Sequence, residues 1–353
     1  TIHGAEIQAL LKLMLAAPAP DFHATSNDIG TIHDHLILAD YLKYLISIAR
    51  KTRRLRVVLD AGNATAGPIA PPLFTALGAE VIPLFCDMDG RFPNHHPDPT
   101  VPANLTALVA AVLANKADFG VAFDGDSDRI GVVDDLGRIL YGDELMVLFS
   151  RDVLRELPGA TIISEVKSSH RLYNDIAAHG GNPLMWKTGH SLIKSKMKET
   201  KAALAGEMSG HIFFADRYFG YDDAIYAAIR VLEIVSKATQ PLSSLLADLP
   251  PSVSTPEIRV DCDETLKFAL VEETKRLISP GRKINAIDGV RVDFGEGWGL
   301  VRASNTQPVL VLRFEAINEL LLKEFRAIVE AALQQAAKNI GHPPVDTRGG
   351  GGH

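Results

Sequence analysis

From residue 56 to residue 238 the chain alternates between short β-branched, apolar runs and longer stretches with helical periodicity. The pattern predicts strands over 56–60, 80–85, 117–123, 130–133, 160–165 and 183–186. Helices are expected over 68–77, 103–114, 143–157, 169–179, 190–199 and 222–238, and Arg138–Tyr141 completes a hairpin. Strands separated by helices are the mark of α/β architecture, because each helical crossover returns the chain to a parallel neighbour. The expectation is two related α/β domains with mixed, largely parallel sheets. Past Leu249-Pro250-Pro251-Ser252 the order changes: a strand over 254–260, a helix over 264–278, strands near 287–294, 299–303 and 308–315, then a helix over 318–336. Strands clustered in this way read as a smaller α+β domain. Upstream, a short amphipathic helix within 1–20 is broken by Pro18 and Pro20, and a second helix is expected over 33–50.

Composition narrows the function classes. Hydrophobic residues are 46% of the 353, enough for ordinary cores. A net charge of −7 argues against a general nucleic-acid binder, so an anionic substrate needs a local basic cluster. Two cysteines, Cys86 and Cys262, make neither a disulfide framework nor a zinc site and suit a reducing cytoplasm. No stretch reaches the roughly 20 apolar residues of a membrane span. Leu10–Ala17 is too short for one and contains Lys12. A monomeric cytoplasmic protein with no nucleic-acid or membrane partner is expected. The chain starts at Thr1 rather than Met, and 346–353 reads as a tail or tag remnant.

Between two expected strands lies Asp124-Gly125-Asp126-Ser127-Asp128-Arg129. Three carboxylates this close repel one another, and a hard cation relieves the repulsion. Oxygen ligands without Cys or His point to Mg²⁺, Ca²⁺ or Mn²⁺. An EF-hand is excluded, since its sixth position needs Gly and here holds Arg129. An arginine beside such a cation makes sense when both share an anion, and phosphate is the obvious one. Ala61–Gly67 fails as a dinucleotide fingerprint, because Ala64 replaces the second glycine. His95-His96 invites a metal reading but lacks a patterned third ligand.

Three other clusters carry chemistry. Gly206-Glu207-Met208-Ser209-Gly210-His211 places a carboxylate, a hydroxyl and an imidazole between glycines, suited to vicinal hydroxyls. Lys187-Thr188-Gly189-His190-Ser191 opens a helix, where anions are favoured, and His190 titrates near neutrality. Arg302-Ala303-Ser304-Asn305-Thr306-Gln307-Pro308 offers a guanidinium, two hydroxyls, an amide and turn N–H groups, with Arg313 nearby, as a phosphate cradle. Each, taken alone, could be a polar turn.

In order, these four loops resemble the signature loops of the α-D-phosphohexomutase superfamily, and most of all its bacterial bifunctional phosphomannomutase/phosphoglucomutase branch. The metal loop D-G-D-x-D-R fits Asp124–Arg129, with Ser127 where glycine is commoner. G-E-M-S-G-H and K-T-G-H-S fit in full, and R-x-S-x-T-x-P fits Arg302, Ser304, Thr306 and Pro308. The resemblance covers nearly the whole chain. It implies four domains around a cleft, with 1–35 as a remnant of the first, 36–138 carrying the metal loop, 139–250 the sugar loop and 251–345 the phosphate loop. It implies interconversion of glucose and mannose 1- and 6-phosphates through a 1,6-bisphosphate, with glucose 1,6-bisphosphate as activator and intermediate. One Mg²⁺ is implied on Asp124, Asp126 and Asp128. Arg129, Lys167, His190 and His211 are the implied catalytic groups. Lys167, His190, Gly206, Glu207, Ser209, Arg302, Ser304, Asn305, Thr306 and Arg313 are the implied substrate contacts.

The sequence also departs from the pattern. The family's phosphoserine stands in a T-A-S-H-N-P-like segment, and these 353 residues hold none. Ser169-His170 lies in Lys167–Arg171, the place of a different family loop, and reads as a decoy. The expectation is that these residues alone bind phosphosugar without mutase turnover. The alternative reading is a non-catalytic phosphosugar-binding protein.

Overall fold

Residues 5–16 and 30–348 are described by the computed structural model. The chain divides into two units, Thr1–Ile48 and Ala49–His353. The first contains two helices, α1 (Ala5–Ala16) and α2 (Ile37–Ile48). The proposed breakers Pro18 and Pro20, and the last part of the expected tail, lie outside the described residues.

The second unit is built on three sheets. The first contains β1 (Arg56–Asp60), β2 (Glu80–Leu84), β3 (Phe119–Phe123), β4 (Ile130–Asp134) and β5 (Ile139–Leu140). Its order is β2-β1-β3-β4-β5. The first three strands are parallel, and the last two turn back antiparallel through tight connections. Helices α3 (Ala70–Ala76) and α4 (Thr106–Asn115) supply the parallel crossovers. Leu108 and Val112 of α4 pack against Val58, Ala122 and Val133, burying one face of the sheet. All five residues of β3 and all five of β4 are buried, which is why both read as continuous apolar runs rather than alternating ones.

The second sheet follows α5 (Gly142–Glu156). It comprises β6 (Thr161–Glu165), β7 (Asn182–Trp186), β8 (Leu204–Gly206) and β9 (Ile212–Phe214), with α6 (His170–Ala178) and α7 (His190–Thr200) between strands. Its order is β7-β6-β8-β9, the first three parallel and β9 antiparallel. Ile193 and Met197 of α7 pack on Ile163, Ala205 and Phe213. The sequence reading missed β8 and β9. Three residues are too few to show alternation, and both are wholly buried. They form a hairpin, so the Glu207–His211 loop sits at a strand-bounded tip.

After α8 (Ala224–Lys237) comes an antiparallel sheet of β10 (Val253–Ser254), β11 (Ile258–Asp261), β12 (Lys283–Asn285), β13 (Val290–Asp293), β14 (Gly297–Ala303) and β15 (Val309–Ala316). The strand expected over 254–260 is two strands, interrupted at Pro256, which has no N–H to give a ladder. Helices α9 (Lys267–Ile278) and α10 (Glu319–Asn339) cover this sheet, with Leu270, Phe325, Val329 and Leu333 against Val292, Val301, Leu312 and Phe314. The turn between β14 and β15 is the expected phosphate loop.

Candidate active site

Asp124 leaves the end of β3, and the chain turns back into β4 within six residues. The Asp124 carboxylate organises that turn. Oδ1 accepts from the N–H groups of Asp128 and Arg129, at 3.0 Å each, and Oδ2 accepts from Arg129 Nε at 2.7 Å. Ser127 adopts φ 65°, a left-handed conformation that costs an L-residue free energy and that glycine adopts readily. Its hydroxyl lies 2.8 Å from that of Thr65. The turn brings carboxylate oxygens of Asp124, Asp126 and Asp128 within 4.8 Å of one another. Burial, with Asp124 and Asp126 close by, pushes the Asp128 carboxyl up to about 7 against the pull of His211. A cluster of hard oxygens that resists its own charge fits a divalent cation such as Mg²⁺.

Arg129 has a second partner, Asp98, at 3.3 Å from Nη1. In this structure it therefore neutralises two carboxylates, so its presence beside the acids has an explanation that needs no shared anion. The paired histidines do not form a metal site. His95 Nε2 lies 3.1 Å from the buried Asp60, and His96 stands edge-on to Phe92. Among the described residues neither belongs to a group able to hold an ion.

The sugar loop abuts the metal loop through backbone. Ile130 N–H donates to the Gly210 carbonyl at 3.1 Å, and Arg129 and His211 form an isolated bridge. Gly210 has φ 92°, and a Cβ there would lie 2.5 Å from the Ile130 carbonyl oxygen, so only glycine allows this approach. Glu207 is buried, with Oε1 accepting from Gly189 N–H at 2.7 Å and Oε2 from the Ser209 hydroxyl at 3.1 Å. Burial, together with the neighbouring Glu165, raises its carboxyl above the ordinary range.

Asp222 gathers the two histidines. His190 Nδ1 lies 3.1 Å and His211 Nδ1 3.2 Å from Asp222 Oδ2, and Lys194 Nζ is 2.8 Å from Oδ1. Burial works against the His211 imidazolium, but Asp222, Glu207 and Asp128 together hold its pKa above the usual value. His190 and His211 rings sit 5.5 Å apart, so both imidazoles face one space.

Lys167 is nearly buried, with Nζ 2.9 Å from Glu257 and 3.5 Å from Glu165. Burial opposes its charge, yet Glu165 and Glu257 keep its pKa raised. It can offer a positive charge. The loop resembling a serine segment is a helix start, where the Ser169 hydroxyl oxygen accepts from Arg171 N–H to cap α6.

In the phosphate loop, Arg302 Nε donates to Asp288 Oδ2 at 3.0 Å. The Ser304 oxygen accepts from the N–H groups of Thr306 and Gln307, so it braces the turn, while Asn305 and Thr306 are exposed at the tip. Arg313 does not join them. It lies within β15, buried, and donates to the Lys167 carbonyl at 3.0 Å. Through that bond it braces the Lys167 backbone.

Several residues at the site escaped the sequence reading. Glu165 ends β6 fully buried, accepting from Met208 N–H at 2.8 Å and from the Thr188 hydroxyl. Asp222, Asp288 and Glu257 were missed as well. The one signal they share with Asp124 is an acidic side chain at the end of a strand or in a turn next to one.

Comparison with known proteins places the whole of this region in one family. Residues 39–137 match "Phosphoglucomutase/phosphomannomutase, alpha/beta/alpha domain II", 141–253 match its domain III, and 257–332 its C-terminal domain. A phosphomannomutase/phosphoglucomutase of Pseudomonas putida is 48% identical over 348 residues, covering 97% of this chain and 73% of that protein. A phosphoglucomutase of Neisseria meningitidis is 44% identical over 338 residues, covering 94% and 72%. The crystal structure of a phosphoglucomutase/phosphomannomutase family protein from Burkholderia thailandensis superposes with a TM-score of 0.87 at 44% identity, over 95% of this chain and 71% of that one. Three consecutive domain matches, relatives near half identity and a shared fold make this chain a member of the phosphoglucomutase/phosphomannomutase family.

Proposed function

We propose that the chain carries the metal, sugar and phosphate sites of a phosphohexomutase that interconverts the 1- and 6-phosphates of glucose and mannose through a 1,6-bisphosphate. The observation that carries this reading is the continuity of the four loops. Ile130 ties the metal loop to the sugar loop, Gly189 ties the sugar loop to the Lys187–Ser191 turn, and Asp288 ties that turn to Arg302. In this reading 36–138, 139–250 and 251–345 contribute metal, sugar and phosphate recognition, and 1–35 belong with a preceding domain. The protein acts as a cytoplasmic monomer on hexose phosphates, without nucleic acid or membrane.

Asp124, Asp126 and Asp128 would hold Mg²⁺, which when bound supplies charge neutralisation for a transferring phosphoryl group. Arg129, beside Asp124, adds a fixed positive charge at the same place. Glu207 and Ser209 accept from sugar hydroxyls, whose O–H groups are donors. His190 and His211 turn Nδ1 toward Asp222, which leaves each Nε2 to exchange a proton with a sugar oxygen or to contact phosphate. Lys167 contributes charge, and Arg302 with the exposed Asn305 and Thr306 clamps the phosphate that does not react. Phosphoryl transfer depends on such positioning and on charge stabilisation.

The test uses phosphorus NMR with Mg²⁺, glucose 1-phosphate and catalytic glucose 1,6-bisphosphate. A polypeptide of these 353 residues is expected to bind without converting. The same residues fused behind the first domain of the Pseudomonas putida relative are expected to convert glucose 1-phosphate to glucose 6-phosphate. A folded fusion that binds but never converts would support the non-catalytic alternative instead.

A further inference from the structure

Two successive amides before α7 are taken by two carboxylates from different parts of the fold. Thr188 N–H donates to Asp288 Oδ2 at 3.0 Å, and Gly189 N–H donates to Glu207 Oε1 at 2.7 Å. The chain then turns into α7 through Gly189, whose φ of 131° is a conformation L-residues rarely adopt. The same Asp288 oxygen also accepts from Arg302 Nε at 3.0 Å. Among the described residues neither Nη of Arg302 has a hydrogen-bond partner, so the guanidinium edge away from Nε is left for an anion.

Asp288 has little freedom to move. Its side chain is 13% exposed, and that of Arg302 is 6% exposed. The next residue, Gly289, has φ 81°, and a Cβ there would lie 2.4 Å from the Val301 carbonyl and 2.7 Å from Arg302 Cα. The turn that carries Asp288 is therefore pressed against the backbone of the arginine it holds.

We propose that Asp288 is a positioning residue that fixes the span between the phosphate clamp at Arg302 and the sugar-holding carboxylate at Glu207. The proposal rests on the functional reading above and deepens it. A ligand with phosphate at one end and hydroxyls at the other gains both sets of contacts only when the two are held at the right separation, which the Asp288–Thr188–Gly189–Glu207 path sets. Asp288 also places a negative charge beside the phosphate site. That charge acts alike on the phosphate of either ligand, so the preference between them is set by the spacing. In this way one carboxylate sets the spacing between the two halves of the site.

The experiment measures Kd for inorganic phosphate and for glucose 1-phosphate by calorimetry, on the full chain and its Asp288→Ala and Asp288→Asn variants, with thermal unfolding to confirm folding. Asp288→Ser takes the place of the alanine variant should that fail to fold, since its side chain is too short to reach both donors. In Asp288→Ala the preference for glucose 1-phosphate over phosphate should fall about tenfold or more, while phosphate binds as well as before or more tightly. Asp288→Asn can keep an oxygen on both donors, so its preference should stay within about threefold of the original. Equal weakening of both ligands in Asp288→Ala would mean a merely structural residue and overturns the proposal. An unchanged preference in Asp288→Ala, or an asparagine variant as damaged as the alanine one, overturns it too. An unsubstituted chain with no preference for glucose 1-phosphate sinks the functional reading itself, a result distinct from these.

Discussion

Glu165 offers the sharpest test of how the site is held together. It is fully buried, and its two oxygens serve the Met208 N–H of the sugar loop and the Thr188 hydroxyl of the neighbouring turn. Lys167 Nζ stands 3.5 Å away. Glu165→Ala removes two charge-assisted hydrogen bonds, worth roughly 1.5–3 kcal/mol each, though not additively. It leaves Lys167 with Glu257 as its remaining ion-pair partner among the described residues. The loss of a buried charge partner falls in the same range, so the total expected is about 3–5 kcal/mol. Glu165→Gln behaves differently. Its amide oxygen can face Met208 N–H, and its NH₂ can donate to the Thr188 oxygen, whose hydroxyl rotates to suit. Only the charge is lost, and about 1–1.5 kcal/mol is expected. Urea unfolding followed by circular dichroism reads both values, and calorimetry with glucose 1-phosphate reads the effect on the sugar loop. A glutamine variant as unstable as the alanine variant would refute the argument from hydrogen-bond geometry. So would an alanine variant within about 1 kcal/mol of the original.

Three further outcomes are expected. Arg302→Ala should weaken glucose 1-phosphate binding by about 1.5–3 kcal/mol and leave glucose unaffected, and equal affinity before and after in a calorimetric titration counts against the assignment. The Asp128 carboxyl is raised on folding by burial and by its acidic neighbours, so without metal it lowers stability progressively as pH rises from about 4 to about 7. Discounted for its partial exposure, Asp128→Asn should stabilise the metal-free chain by about 1–2 kcal/mol at pH 8 and abolish any thermal shift caused by Mg²⁺, and an undiminished Mg²⁺ shift removes Asp128 from the site. Burial, and then Arg291, lowers the His170 pKa to about 4. Because the unfolded imidazole takes up its proton near 6.5, stability should fall as pH drops from about 6.5 toward 4, by about 2 kcal/mol, and His170→Gln should flatten that limb of the pH–stability curve.

The strand–helix alternation was readable because the buried parallel strands are continuous apolar runs bounded by turns, as in Val57–Leu59 and Phe119–Phe123. The four loops were readable because polar residues stand between glycines at strand and helix ends. The residues that hold the loops were not, since their partners are distant in sequence. Thr188 and Asp288 are 100 residues apart, and Glu165 and Met208 are 43 apart. An acidic side chain in a turn carries no mark of whether its partner is water or a distant amide. The burial of Arg313 was hidden for a related reason. A cation in a strand near a polar turn reads as exposed, yet seven of the eight residues of β15 are buried, and Nη1 of Arg313 donates to the Lys167 carbonyl. The hairpin of β8 and β9 was lost because its ladder is too short for periodicity to show.

The central claim is that the metal, sugar and phosphate loops of this chain form one site for a hexose phosphate. Calorimetric titration of the full chain, in Mg²⁺, with glucose 1-phosphate, glucose and inorganic phosphate in parallel tests it most directly. The account predicts one site per chain for glucose 1-phosphate, bound about tenfold or more tightly than either glucose or phosphate alone. Glucose 1-phosphate bound no better than inorganic phosphate would contradict it.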